Sequence, residues 1–187
     1  MKLKKFNFKI VNSTNNLAIQ IIKNTNNKSG IVIAQNQKKG RGQYGKKWTS
    51  FKGNLFVSIF FQINKVQLSL KDLTKVNCLL VKRLLSNFYN GKIAIKKPND
   101  LMIKKMKISG ILQEMVTKSG EKFIVIGVGV NLIKSPVLKD YLTTNLFDLT
   151  GIEITANNAA LKLKRIYEDF IPMFPKFNIK NLDRNLK

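Results

Sequence analysis

Two short runs of the chain are almost wholly apolar, GIVIAQ at residues 30–35 and LFVSIFFQI at residues 55–63, and both predict buried strands. Residues 6–11 alternate as a further strand. The polar pair Ser13 and Thr14 that follows offers an N-cap for a helix with Leu17, Ala18, Ile21 and Ile22 on one side. Across residues 69–90, Leu70, Leu73, Val76, Leu80, Val81, Leu84, Leu85 and Phe88 recur at helical spacing, and Ser69 with Asp72 makes a capping-box signature. Strands are predicted at residues 93–96, 101–104, 108–117 and 123–130, the last two joined by a Lys-Ser-Gly-Glu hairpin turn. A final helix over residues 156–170 ends at Pro172. No internal repeat interrupts this order, which predicts one α/β (α+β) domain over residues 1–187 with a mixed, largely antiparallel sheet.

Composition narrows the chemistry. At 187 residues and 44% hydrophobic content the chain can bury a core of its own. No run of eighteen apolar residues is present, and the basic start leads into polar Ser13 to Asn16 instead of an apolar signal core, so a cytoplasmic protein with no membrane association is expected. The lone Cys78 lies in the apolar pattern of the long helix and is expected as a small core residue in a reducing compartment. Histidine is absent, which excludes Ser/His triads, histidine zinc sites and imidazole acid–base catalysis. Any catalysis must run on lysine, arginine, carboxylates, backbone amides and a bound metal.

A net charge of +24 invites a nucleic-acid-binding reading. The cations are mostly lysines spread over the whole length, with no recognition helix, zinc-finger spacing or aromatic RNA-binding strand beside them, so most of this charge is expected as solvated surface.

Two stretches carry the candidate chemistry. QKKGRGQYGKKW at residues 37–48 packs three glycines and several cations into a loop held between two buried strands. Glycine lets amides approach phosphate oxygens closely, and Arg41 with the lysines adds charge. KKPNDLMIKKMKISGILQE at residues 96–114 places Lys96, Asn99, Asp100 and Lys107 around a short strand and turn. A phosphate cradle followed by a Lys/Asp cluster suggests nucleotide-dependent activation of an acid. Taken singly, each motif has a structural reading: a mobile hairpin tip, a Pro-Asn-Asp turn, a helix cap at Ser13 or Thr14, a core Trp48, an edge cation at Lys107, a bulge at Gly127 and Gly129.

In their joint order, Ser-Thr-Asn at 13–15, GRGQYGKKW at 40–48, KPND at 97–100, KISGILQE at 107–114 and GVGVN at 127–131 resemble the catalytic domain of biotin protein ligases. The resemblance implies the fold of the biotin/lipoate ligase catalytic domain, related to class II aminoacyl-tRNA synthetases. It implies biotin and ATP as substrates, Mg²⁺ as cofactor, biotinyl-5'-AMP as intermediate and a lysine of a biotin carboxyl carrier domain as acceptor. By the same resemblance Ser13, Thr14, Asn15, Gln37, Arg41, Gly42, Gln43, Trp48, Lys107, Gly110 and Gly127 bind biotin. Gly40, Arg41, Gly42, Lys96, Asn99, Gly129 and Asn131 bind nucleotide. Lys107, Arg41, Lys96 and Asp100 carry catalysis, with Asp100 as the Mg²⁺ ligand or the group orienting the incoming lysine.

This chain departs from the family pattern in two places that bear on function. Gln43 stands where a second arginine is usual, and Lys97 where a tryptophan usually precedes Pro-Asn-Asp. No helix-turn-helix precedes Ser13, so no repressor-type DNA binding is expected. The chain after Asn131 accommodates the last helix but not the small β-barrel common in this family. A monomer or homodimer is expected. The alternatives are a lipoate or octanoate ligase or transferase and a basic nucleic-acid-binding module.

Overall fold

The structure, a computed structural model, describes residues 1–63 and 69–176. Its elements run β1 (Lys4–Val11), α1 (Thr14–Asn24), β2 (Ser29–Gln37), β3 (Leu55–Gln62), α2 (Leu70–Ser86), β4 (Ile93–Lys96), β5 (Asp100–Ile103), β6 (Met106–Lys118), β7 (Glu121–Val130), α3 (Leu146–Thr150) and α4 (Ala156–Phe170). The seven strands form one sheet in the order β1-β2-β3-β7-β6-β5-β4. β1 and β2 pair in parallel, joined by the α1 crossover, and every other neighbouring pair is antiparallel. The expected mixed, largely antiparallel sheet is therefore the one observed.

Alternation along the central strands separates two faces. On β7, Ile124, Ile126, Val128 and Val130 belong to a large core with α2 and α4, which supply Leu73, Leu80, Leu84, Leu163 and Tyr167. Tyr167 is fully buried, and its hydroxyl donates to Asn77 Oδ1 at 3.0 Å while Asn77 Nδ2 donates to Gln113 Oε1 at 2.7 Å. That chain of bonds lets a phenol and an amide sit in the core without orphaned polar atoms.

On the opposite face only one end of the sheet is covered. There α1 sets Ala18 and Ile22 against Val32, Phe60, Val116, Phe123 and Val125. Farther along the same face the register pairs Gly110 with Gly129 and Leu112 with Gly127, so the sheet surface beyond α1 is nearly stripped of side chains. That strip is the floor of the site.

Most predicted elements fall within two residues of the observed ones, and three features differ. The glycine loop contains a 3₁₀ turn, Gln43–Gly45, with Tyr44 at φ 54° and Gly45 at φ 73°. A short helix, α3, follows the last strand, capped by Asn145, whose Oδ1 accepts from the Asp148 amide at 2.8 Å. The chain beyond α4 does not stop at Pro172 but continues as a 3₁₀ turn, Ile171–Lys176, because proline at the start of a turn costs no backbone hydrogen bond.

Candidate active site

An open cleft of about 280 Å³ lies over the glycine strip. Its floor is bare for a steric reason. A Cβ on Gly127 would overlap the Asn15 carboxamide, and one on Gly129 would enter the Trp48 ring. A Cβ on Gly110 would lie 2.8 Å from Trp48 Cζ3. Side chains from α1 and from the glycine loop thus lie flat on the sheet where β6 and β7 have none.

One end of the cleft is neutral and polar. Ser13 has the extended backbone of a helix N-cap and its carbonyl accepts from the Leu17 amide at 3.1 Å. Its hydroxyl makes no capping hydrogen bond, and the residue lines the cleft. Thr14 donates its amide and its hydroxyl to Gln37 Oε1, at 2.9 and 3.1 Å. Asn15 is 2% exposed and uses both Nδ2 protons within the protein, on Leu112 O at 3.2 Å and Glu114 Oε2 at 2.8 Å. Its Oδ1 faces Ser58 Oγ at 2.5 Å. The amide orientation is therefore dictated, because only Oδ1 retains accepting capacity.

The other end is ionic. Lys107 Nζ lies 2.8 Å from Asp100 Oδ1 and over the rings of Trp48 and Tyr141, 5.5 and 5.2 Å from their centroids. The lysine reaches the cleft through a bulge. β5 pairs Leu101 with Ser109 and then Met102 with Lys107, skipping Ile108. Without that skip, alternation from Gly110 would send Lys107 to the opposite face. The backbone of Lys107 is also held by the segment before α3, its amide donating to Leu142 O at 2.9 Å and its carbonyl accepting from the Thr144 amide at 3.0 Å.

The glycine loop closes the cleft from above. Trp48 N donates to Gly40 O at 3.0 Å and Gly42 N to Lys46 O at 2.6 Å, so the loop folds as a narrow hairpin. Arg41 extends from it to Glu114 Oε2 at 2.6 Å. Trp48 covers the floor, and its Nε1 is buried without a hydrogen-bond partner.

The sequence-predicted site residues largely converge. Ser13, Thr14, Asn15 and Gln37 line the neutral end. Arg41, Gly42, Gln43 and Trp48 form the roof, and Lys96, Asn99, Asp100 and Lys107 the ionic side, with Gly110, Gly127 and Gly129 beneath. Two predicted residues stand elsewhere. Gly40 does not line the cleft; its carbonyl and its tight packing against the Trp48 backbone hold the loop's base. Asn131 lines an adjoining cavity of about 270 Å³, which shares Lys46, Lys47, Trp48, Lys107 and Tyr141 with the main cleft. Its Nδ2 donates to Thr144 O at 3.0 Å and its Oδ1 is buried without a partner. Asn99 uses its Nδ2 on Ile111 O at 2.6 Å. Among the described residues no group of three His, Cys, Asp or Glu side chains is placed to hold a metal; Asp100 is the carboxylate that lines the cleft.

Sequence reasoning missed Glu114, Ser58 and Tyr141 as site residues. Glu114 had a signal, since it shares strand parity with Gly110 and Leu112. Ser58 is the lone hydroxyl in an otherwise apolar run. Tyr141 had none, because its loop reaches Lys107 only through tertiary packing.

Relatives agree with this architecture. The bifunctional ligase/repressor BirA of Salmonella typhimurium is 31% identical over 162 residues, 85% of this chain and 50% of that protein. The BirA protein of Escherichia coli is 31% identical over 170 residues, 88% of this chain and 52% of that protein. The chain thus spans about half the length of the curated relatives it matches. A solved biotin protein ligase from Aquifex aeolicus, in complex with biotin and ATP, superposes with a TM-score of 0.79 over 98% of this chain and 77% of that one, at 23% identity. The sequence pattern of the biotin/lipoate A/B protein ligases matches residues 7–131, a span that takes in both the loop over the cleft and the bare strip beneath it, and the chain belongs to that family.

Proposed function

We propose that the chain is a biotin protein ligase domain that activates biotin with ATP and passes the biotinyl group to a lysine of a biotin carboxyl carrier domain. The observation that carries this reading is the polarity of one cleft, with fixed neutral hydrogen-bonding groups at one end, the Lys107–Asp100 pair at the other and Arg41 reaching down from the loop above. A ureido ring, with its carbonyl and two N–H groups, complements the neutral end, and the valeryl carboxylate then reaches the cations. A saturated fatty acid would leave the polar groups around Ser13 and Asn15 unpaired, which favours biotin over octanoate.

In the first step a carboxylate oxygen attacks the α-phosphorus of ATP, the Pα–O bond to the β-phosphate breaks, and pyrophosphate leaves. Lys107 and Arg41 offset the negative charge as two anions converge, and the loop excludes water from the mixed anhydride. In the second step the carrier amine attacks the acyl carbon, the acyl–phosphate bond breaks, and AMP leaves. Asp100, beside Lys107, is the group suited to accept a proton from that amine or to orient it.

The adjoining cavity supports a nucleotide base. Trp48 Nε1 is an orphaned donor and Asn131 Oδ1 an orphaned acceptor, and an adenine ring carries groups for both. A lone lining carboxylate fits magnesium that arrives on the phosphates with Asp100 as its protein ligand, where it would neutralise phosphate charge. We further propose that residues 1–187 form a single catalytic domain. Among the described residues no helix is long and apolar enough to cross a membrane.

The test is ATP–pyrophosphate exchange with biotin, lipoate, octanoate or no acid. Exchange dependent on biotin alone is expected. Exchange with lipoate or octanoate instead would keep the chemistry and change the substrate, and no exchange with any acid would refute the reading.

A further inference from the structure

Glu114 belongs to no part of the reaction described above, yet one of its oxygens receives two site residues. Asn15 Nδ2 donates to Oε2 at 2.8 Å and an Arg41 guanidinium nitrogen lies 2.6 Å from the same atom. The two donors come from different elements, Asn15 from the start of α1 and Arg41 from the loop above the cleft. Among the described residues Arg41–Glu114 is the salt bridge that joins the glycine loop to the sheet.

We infer that Glu114 is a positioning residue that fixes the Asn15 amide and the closed position of the glycine loop with a single carboxylate oxygen. An ionised carboxylate only accepts, so it forces Nδ2 of Asn15 toward β6 and leaves Oδ1 on the Ser58 side as the atom with capacity for a ligand N–H. The same oxygen draws the Arg41 side chain down over the floor, and with it the loop whose base is clamped by Gly40 and Trp48. β-strand parity makes this possible: Glu114 shares the cleft face with Leu112 and Gly110, whereas Gln113 turns to Asn77 in the core. The role in acid binding rests on the proposed biotin ligase reading; the tie itself does not.

The test compares wild type with Glu114→Gln, Glu114→Ala and Arg41→Ala. In ligand-free protein, side-chain NMR should show slowly exchanging Asn15 amide protons in wild type, faster exchange in Glu114→Ala, and partial retention in Glu114→Gln, which keeps a neutral acceptor. Calorimetry should show biotin Kd rising about tenfold in Glu114→Ala and less in Glu114→Gln, with ATP affinity within about twofold. In the double variant Glu114→Ala with Arg41→Ala the two losses should not add, as expected for one interaction. Asn15 and Arg41 signals unchanged by Glu114→Ala would overturn the inference, as would equal loss of biotin and ATP affinity. Wild type that binds no biotin would sink the functional reading instead, and the tie would still be decided by the ligand-free spectra.

Discussion

Lys107 and Asp100 face each other at 2.8 Å across the β5–β6 pair, and the lysine is held between the rings of Trp48 and Tyr141. Their meeting depends on the skipped residue Ile108, which moves the lysine onto the glycine face of the sheet. A cation so placed has its charge offset by one carboxylate and its ammonium set against two aromatic rings, so its Nζ is preorganised in the cleft.

Lys107→Ala should therefore lower biotin-dependent ATP–pyrophosphate exchange by at least ~100-fold, the order found for removing one preorganised charge-stabilising group. Arg41→Ala should do the same. Far-UV circular dichroism should stay unchanged in both, since neither side chain belongs to the core. Near-normal exchange in either variant would misplace the site.

The floor can be tested by adding a single methyl group. In Gly127→Ala the new Cβ meets the Asn15 carboxamide, which is already held by Leu112, Glu114 and Ser58 and has nowhere to turn. The expected cost is about 1–3 kcal/mol in urea unfolding, with a larger proportional rise in KM for the acid than for ATP. A variant with unchanged stability and unchanged KM would show that the cleft has room this geometry denies.

Asn54 is fully buried where the chain leaves β7, and its Oδ1 accepts from the amides of Leu132, Ile133 and Lys134 at 3.0, 3.0 and 3.2 Å. Its Nδ2 donates to Lys134 O at 2.7 Å. Asn54→Ala strands several backbone groups at once and should destabilise the fold by roughly 2–4 kcal/mol. Chemical denaturation measures it, and a loss below about 1 kcal/mol would mean that water replaces the side chain there.

Glu168 links α4 to the start of the chain. Burial alone would raise its carboxyl, but hydrogen bonds from Lys164 and from the Leu3 amide prevail and hold it below its ordinary 4.5. A carboxyl lowered in the folded state adds stability above its unfolded titration, and that contribution is lost as pH falls through the folded one. Wild type should thus exceed Glu168→Gln in Tm at neutral pH, with the gap closing as pH drops below 4.5. A gap independent of pH would assign the effect to shape alone.

The fold was legible because its strands and long helices are written in local patterns. β4 and α4 have the predicted bounds, and Ser69 caps α2 as its spacing with Asp72 suggests, accepting the Asp72 amide at 3.2 Å. What was not legible depends on relations between distant residues. The Ser13 hydroxyl is not a cap, which only the observed helix start reveals. The bulge at Ile108 leaves no trace in KISGILQE, yet it decides the face on which Lys107 lies. Arg41 pairs with Glu114, seventy-three residues away, a partnership no spacing rule contains.

The paired state of the two cations changes what the cleft is to an anion in solution. A protein of net charge +24 draws phosphate, chloride and free nucleotides to its surface indiscriminately. At the cleft, however, Arg41 and Lys107 already have a carboxylate each, at 2.6 and 2.8 Å. At those two positions a small stray ion meets a cation whose charge is already offset by a neighbouring acid. Charge alone therefore gains a ligand less at these two cations than at the unpaired surface lysines, so a ligand retained at this spot is one recognised by more than its charge.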